Sequence, residues 1–143
     1  MKIKDKAFGI TELLFSLLLT VGSVTIFKAC GAHEGRYMAC HWAQNAVTLT
    51  GAVLTAASLI KLLIPDRAVK TGIAVTISLL SAAAAFIPGT VIGLCMMQTM
   101  RCHTVFRPAV AVAASLLAVT ALADVIVGIK ERGAGNEHKK AYA

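Results

Sequence analysis

The sequence predicts an all-α integral membrane protein, a bundle of four transmembrane helices, on three observations. Charged residues make up 15% of the chain and hydrophobic ones 57%, with a mean hydropathy of +0.76, whereas a soluble domain keeps about a quarter of its residues charged. The apolar residues gather in four long runs, and about 20 such residues cross a bilayer as a helix. Basic residues cluster at the ends of alternate runs, as they do in chains that cross a membrane repeatedly.

Taken in order, the first run extends from about Ala7 to Ala29. Its basic start fits an export signal, but its length exceeds the roughly 7–15 residues of a signal core. Lys28 also stands before Cys30 where a lipoprotein signal needs small residues, so the run is expected to be a retained span. The second runs from Trp42 to Leu63. The third, Thr71 to Leu94, carries Pro88-Gly89, which should loosen its last turns. The fourth runs from Pro108 to Ile129, with Pro108 suited to a first helical turn. The expectation is one membrane domain over 1–143, with helices 7–29, 42–63, 71–94 and 108–129 and outer loops 30–41 and 95–107. Apolar burial gains nothing between helices in lipid, so close packing of small residues must hold them together. Ala82 to Ala85 in the third run, Ala109, Ala111, Ala113, Ala114, Ala118, Ala121 and Ala123 in the fourth, and Gly51 and Gly72 supply them.

The net charge of +7 is distributed by topology. Lys2, Lys4 and Lys6, then Lys61, Arg67 and Lys70, then Lys130, Arg132, Lys139 and Lys140 lie on one side and make ten of the 14 basic residues. Positive charge marks the cytoplasmic side, which puts both termini inside and the chain in the plasma membrane. Contact with anionic lipid is a secondary use of that charge. No basic surface with interleaved aromatic residues appears, so nucleic acid is not an expected partner.

The outer loops are more informative than the helices. The first reads Cys30-Gly-Ala-His-Glu-Gly-Arg-Tyr-Met-Ala-Cys40-His41-Trp42 and the second Cys95-Met-Met-Gln-Thr-Met-Arg-Cys102-His103. Both end in Met-x-Cys-His, at Met38 to His41 and at Met100 to His103, 62 residues apart. Each motif opens the following helix and follows another cysteine at the end of the preceding one. This pattern predicts two pseudo-repeated helical hairpins that cross the membrane in the same direction.

Four cysteines on an oxidising face read as disulfides, for which three connectivities exist. Pairing within each loop, Cys30 with Cys40 and Cys95 with Cys102, is favoured and would staple helix ends together. A redox alternative uses the same residues. Four-helix membrane oxidoreductases that pass electrons from thiols to a quinone have a similar layout, but no C-x-x-C pair occurs here. In that reading Arg107 would stabilise a thiolate or quinone oxygen and His41 or His103 would accept a proton. A ligation alternative places His41, His103, Met38 and Met100 on copper, zinc or haem iron, with Met96 and Met97 nearby. The bland account makes His41 and Trp42 interfacial anchors and leaves His33 and Glu34 solvated. Inside the spans, Glu12 and Asp124 are expected near the cytoplasmic interface, satisfied by snorkelling or by pairing with Lys61 or Arg67. No phosphate-binding glycine loop, catalytic serine setting or mid-membrane carboxylate pair appears.

The Met-x-Cys-His-Trp that opens helix two, Ile87-Pro88-Gly89, and the Met-x-Cys-His before Arg107-Pro108 together mark a likeness. Over nearly the full chain the sequence resembles a family of small bacterial and archaeal four-helix membrane proteins, domain-of-unknown-function family 4418. The resemblance implies the same topology and, from gene company, association with ABC-type permeases of the macrolide-exporter class. It transfers no catalytic residue. The reading is therefore a non-catalytic accessory or structural subunit that forms a homo-oligomer or joins a larger membrane complex such as an ABC-type permease, with disulfide-stapled outer loops and no cofactor. The alternative is a redox-active or metal/haem-binding membrane protein with haem, copper or quinone; as an enzyme it would be a membrane thiol–disulfide oxidoreductase.

Overall fold

Helix α1 spans Lys2–Val24, α2 Ala39–Leu63, α3 Arg67–Phe86 and α4 Arg107–Ala141, with a π-helical turn Cys102–Phe106 leading into α4. The structure, a computed structural model, describes residues 2–28, 39–94, 99 and 101–141, with side chains described over 6–28, 39–94, 99, 101–131 and 133. Four stretches, Lys6–Val24, Ala39–Leu63, Arg67–Phe86 and Cys102–Glu131, are long and apolar enough to cross a membrane. At 1.5 Å per residue the 25-residue α2 is about 37 Å long, against a hydrocarbon core of about 30 Å. Helix α1 packs mainly on α2 and α3 mainly on α4, and the α1–α4 and α2–α3 contacts close the ring. The three-residue link 64–66 forces α2 and α3 antiparallel, and the Asp66 carboxylate caps α3 by accepting from the Ala68 N–H at 2.8 Å.

The helix ends differ from the expected ones, each for a local reason. Helix α1 stops at Val24, not Ala29, because the chain folds back: the Phe27 N–H donates to the Gly22 carbonyl at 2.7 Å. The Phe27 ring sits where a Gly22 side chain would be, 2.7 Å from an added Cβ. Helix α3 stops at Phe86, eight residues short of Leu94. Ile87 keeps helical dihedrals before Pro88 (φ -56°, ψ -51°), and the direction of the chain changes at Gly89, which takes a left-handed φ of 96°. A tight turn follows, in which the Gly89 N–H donates to the Ile92 carbonyl at 3.0 Å. Helix α2 begins at Ala39, so Cys40 and His41 belong to its first turn and not to a loop.

Before α4 the Arg107 N–H reaches back five residues to the Cys102 carbonyl. The Pro108 ring would press on the Thr104 carbonyl in a regular α-turn, and the wider π-turn accommodates it. Helix α4 then continues past Ile129 to Ala141, because the backbone ladder does not depend on the apolar stretch that ends at the interface.

The outer surface is apolar, unlike that of a soluble protein. Leu14, Val21, Leu49, Leu79, Val119 and Ile126 are all more than half exposed, while Glu12, Ser16, Ser23, Ser58, Lys61 and Ser81 are buried. A water-facing surface of this kind would carry a large free-energy penalty, whereas lipid solvates it. The hydroxyls are satisfied locally, as when Ser58 Oγ donates to the Leu54 carbonyl at 2.9 Å. Others bond across the α1–α2 seam, with Ser23 Oγ 2.8 Å from Thr48 Oγ1. Among the described residues no buried side-chain nitrogen or oxygen lacks a partner.

Small residues bring the backbones together, though not all at the expected places. A Cβ on Gly51 would lie 3.2 Å from the Thr20 backbone, so α1 and α2 meet there at backbone distance. Gly72, expected to play the same part, is exposed with nothing within 4 Å of such a Cβ. Ala43, Ala84, Ala114 and Ala121 are fully buried beside Leu19, Val47, Leu54, Ile77, Phe106 and Leu117.

Candidate functional site: a buried charge network and a cysteine–histidine end

Three ionisable side chains from three helices meet inside the bundle. Glu12 on α1 is 0% exposed, Lys61 on α2 is 3% and Asp124 on α4 is 13%. Lys61 Nζ donates to Glu12 Oε1 at 2.8 Å and to Oε2 at 2.7 Å. It also lies 2.5 Å from Asp124 Oδ2. One ammonium therefore holds two carboxylates, and its three N–H donors are matched by three oxygens. An isolated charge in this setting would cost several kcal/mol. The pairing removes most of that cost and ties α1, α2 and α4 at one level.

Two turns further along α4, Glu131 pairs with Arg67 at the start of α3. Asp124 and Glu131 are seven residues apart, so they share a face of α4. A cavity of about 30 Å³ separates the two pairings, lined among others by Gly9, Lys61, Arg67, Thr71, Asp124 and Glu131. It has room for a water molecule or two among polar groups. The expected pairing of Glu12 and Asp124 with Lys61 is therefore present, with Glu12 buried and Asp124 part-buried, and Arg67 serves Glu131 instead. Sequence reading missed Glu131; its spacing from Asp124 was the available signal.

The Met-x-Cys-His motifs lie elsewhere in the bundle. Cys40 and Cys102 are both fully buried and belong to the same core cluster as Phe106. His41 and His103, each following its cysteine, are partly buried. His41 Nε2 lies 3.2 Å from Asn45 Nδ2, one turn along α2. Its ring also meets Trp42 edge-on, with centroids 6.3 Å apart. Trp42 is 62% exposed at the start of a span, the position of an interfacial anchor. Arg107 is exposed, with its guanidinium lying over Gly89: a Cβ there would be 3.2 Å from Nε. Cys30, Cys95, Met38, Met96, Met97 and Met100, with His33 and Glu34, lie outside the described residues. Among the described residues there is no group of three or more His, Cys, Asp or Glu side chains that could hold a metal ion.

Comparison with curated proteins and with solved structures gave no match. A family model does match, over residues 12–127, which takes in the whole charge network from Glu12 to Asp124. The chain belongs to the family described as Domain of unknown function (DUF4418).

Proposed function

We propose that this small multi-pass membrane protein is a non-catalytic accessory or structural subunit of a larger membrane complex, with an ABC-type permease as the partner to test. The observation that carries the reading is the closed Glu12–Lys61–Asp124 network. Its charges are spent on holding helices together, which suits a rigid element that meets neighbours through its outer faces. Those faces are apolar, and within a bilayer they can join other helices only by close packing. In this reading the Lys6, Lys61, Arg67 and Lys70 end is cytoplasmic and the cysteine end is extracytoplasmic, as the basic residues favour. There Cys40, which is disulfide-bonded, would staple the start of α2. Reciprocal isolation from native membranes in a mild detergent tests the proposal. The chain should leave the membrane in fixed ratio with a permease subunit, and a lone monomer in every such extract would overturn the idea.

A second reading, a redox or ligand-binding site at the Met-x-Cys-His motifs, is favoured by one observation: each buried cysteine is followed by a partly buried histidine. It predicts stoichiometric metal or a haem absorption band in gently purified protein, lost in His41→Ala and His103→Ala. Purified protein with neither would remove it.

A further inference from the structure

Along the seam between α1 and α4, toward the cysteine end of the bundle, is an open groove of about 460 Å³. Phe15 and Leu18 of α1 and Val112 and Leu116 of α4 flank it, with the small Ala109 and Ala113 between them. We infer that this face docks a second copy of the chain, α4 against α4 across a two-fold axis near Ser115. Such a dimer forms whether or not a larger complex recruits it.

The first support is a hydroxyl. Ser115 lies close to the middle of the Cys102–Glu131 span and is exposed. Comparable hydroxyls bond back to their own helix. Thr120 Oγ1 donates to the Leu117 carbonyl at 2.9 Å, and exposed Thr76 on α3 donates to the Gly72 carbonyl at 3.2 Å. Among the described residues Ser115 Oγ has no such partner. A hydroxyl bare to hydrocarbon is unfavourable, and serines in lipid are satisfied by bonding across helices. A hydroxyl both donates and accepts, so the same residue on a symmetry mate meets it from either side. An acyl chain in the groove has neither donor nor acceptor to offer.

The second is shape and extent. Val112, Ser115, Leu116 and Val119 follow at i, i+3, i+4 and i+7, so they form one stripe of α4. All four are exposed, and Val112 and Leu116 also edge the groove. Hydroxyl and groove therefore belong to one surface, ridge beside hollow, and a two-fold pairing needs both on a single patch. The strip made by α1 and α4 is as long as the 19-residue first span, about 28 Å at 1.5 Å per residue. Two helices with axes about 9 Å apart make it about 20 Å wide. Two such strips face to face cover about 1,100 Å² in total, above the roughly 1,000 Å² expected of a specific interface.

Energy transfer between donor-labelled and acceptor-labelled copies of the full chain in phosphatidylcholine vesicles measures the association. Transfer should rise with the protein-to-lipid ratio and fall when unlabelled chain is added. Ser115→Ala should weaken association about 3- to 10-fold, the worth of one hydrogen bond between spans. Ala109→Leu, which fills the groove, should weaken it about 10-fold or more. Leu79→Ala, exposed on α3, should associate as the parent does. Circular dichroism should show the parent's helix content in all three. In native membranes an oxidant should link Ser115→Cys chains in pairs, above the level of the parent with its own four cysteines. Leu79→Cys chains should not link beyond that level. Transfer no greater than chance proximity at every ratio overturns the proposal. So does unaltered association in Ser115→Ala, or linking of Leu79→Cys as readily as Ser115→Cys.

Discussion

Replacing Lys61 by methionine should be the most damaging single change in the bundle. Two unit charges 2.7 Å apart, the Lys61–Glu12 separation, attract by about 6 kcal/mol at an effective dielectric of about 20. Desolvation of both groups offsets much of this, so the pair is far from a net gain of that size. Removing the shared cation is another matter, because it leaves two carboxylates facing each other with no counter-charge. That change should cost about 3–5 kcal/mol. Glu12→Gln leaves Lys61 paired with Asp124 and should cost only about 1–3 kcal/mol. Asp124→Asn should cost less still, since Asp124 is 13% exposed. The assay is unfolding in mixed micelles with rising dodecyl sulfate, followed by helical circular dichroism. The triple variant Glu12→Gln/Lys61→Met/Asp124→Asn should recover most of the loss, because no buried charge remains. Exposed Lys130→Met is the control and should stay within about 0.5 kcal/mol of the parent. If Lys61→Met unfolds no earlier than Lys130→Met, the network does not hold the helices.

Three further outcomes follow from the packing. Gly51→Leu should destabilise the α1–α2 seam by about 1–3 kcal/mol in the same titration, because its side chain would drive into Thr20. Gly89→Ala should lose about 1–2 kcal/mol, since φ of 96° strains any residue with a Cβ and the added atom meets Arg107. Trp42 is the single tryptophan, so fluorescence quenching reads its depth directly. Lipids brominated near the headgroup should quench it more than lipids brominated near the chain end, and the reverse order would remove Trp42 from the interface.

The four spans were legible because their runs are long and nearly free of charge, which leaves few alternatives to a helix in lipid. Their ends were less so. Nothing in the hydropathy of Val24 to Ala29 marks a stop; the stop is the Phe27 ring seated on Gly22. The Pro88-Gly89 break was visible, but its strength was underestimated, and the helix ends two residues before the proline. The buried charges were half legible. Glu12 and Asp124 stood out as ionisable groups in apolar runs, and Lys61 was one of two candidate partners. Choosing between Lys61 and Arg67 needs the rotation of each helix. A run apolar on every side does not specify that rotation, as it would in an amphipathic soluble helix. The same ambiguity explains Gly72, which reads like Gly51 in sequence but points outward.

The shared lysine also constrains how the chain is made. Helices emerge in the order α1, α2, α3, α4, and a lone carboxylate or ammonium at membrane depth is costly to insert. Glu12 and Lys61 sit on the first two helices, so a nascent α1–α2 hairpin can enter the bilayer already neutral. Asp124 arrives last, on α4, and its carboxylate reaches Lys61 only once the final helix has been synthesised. Biogenesis is thereby ordered along the polypeptide. A chain truncated before α4 should integrate its first hairpin and yet remain susceptible to membrane quality-control proteolysis, with Lys61 short of its second carboxylate.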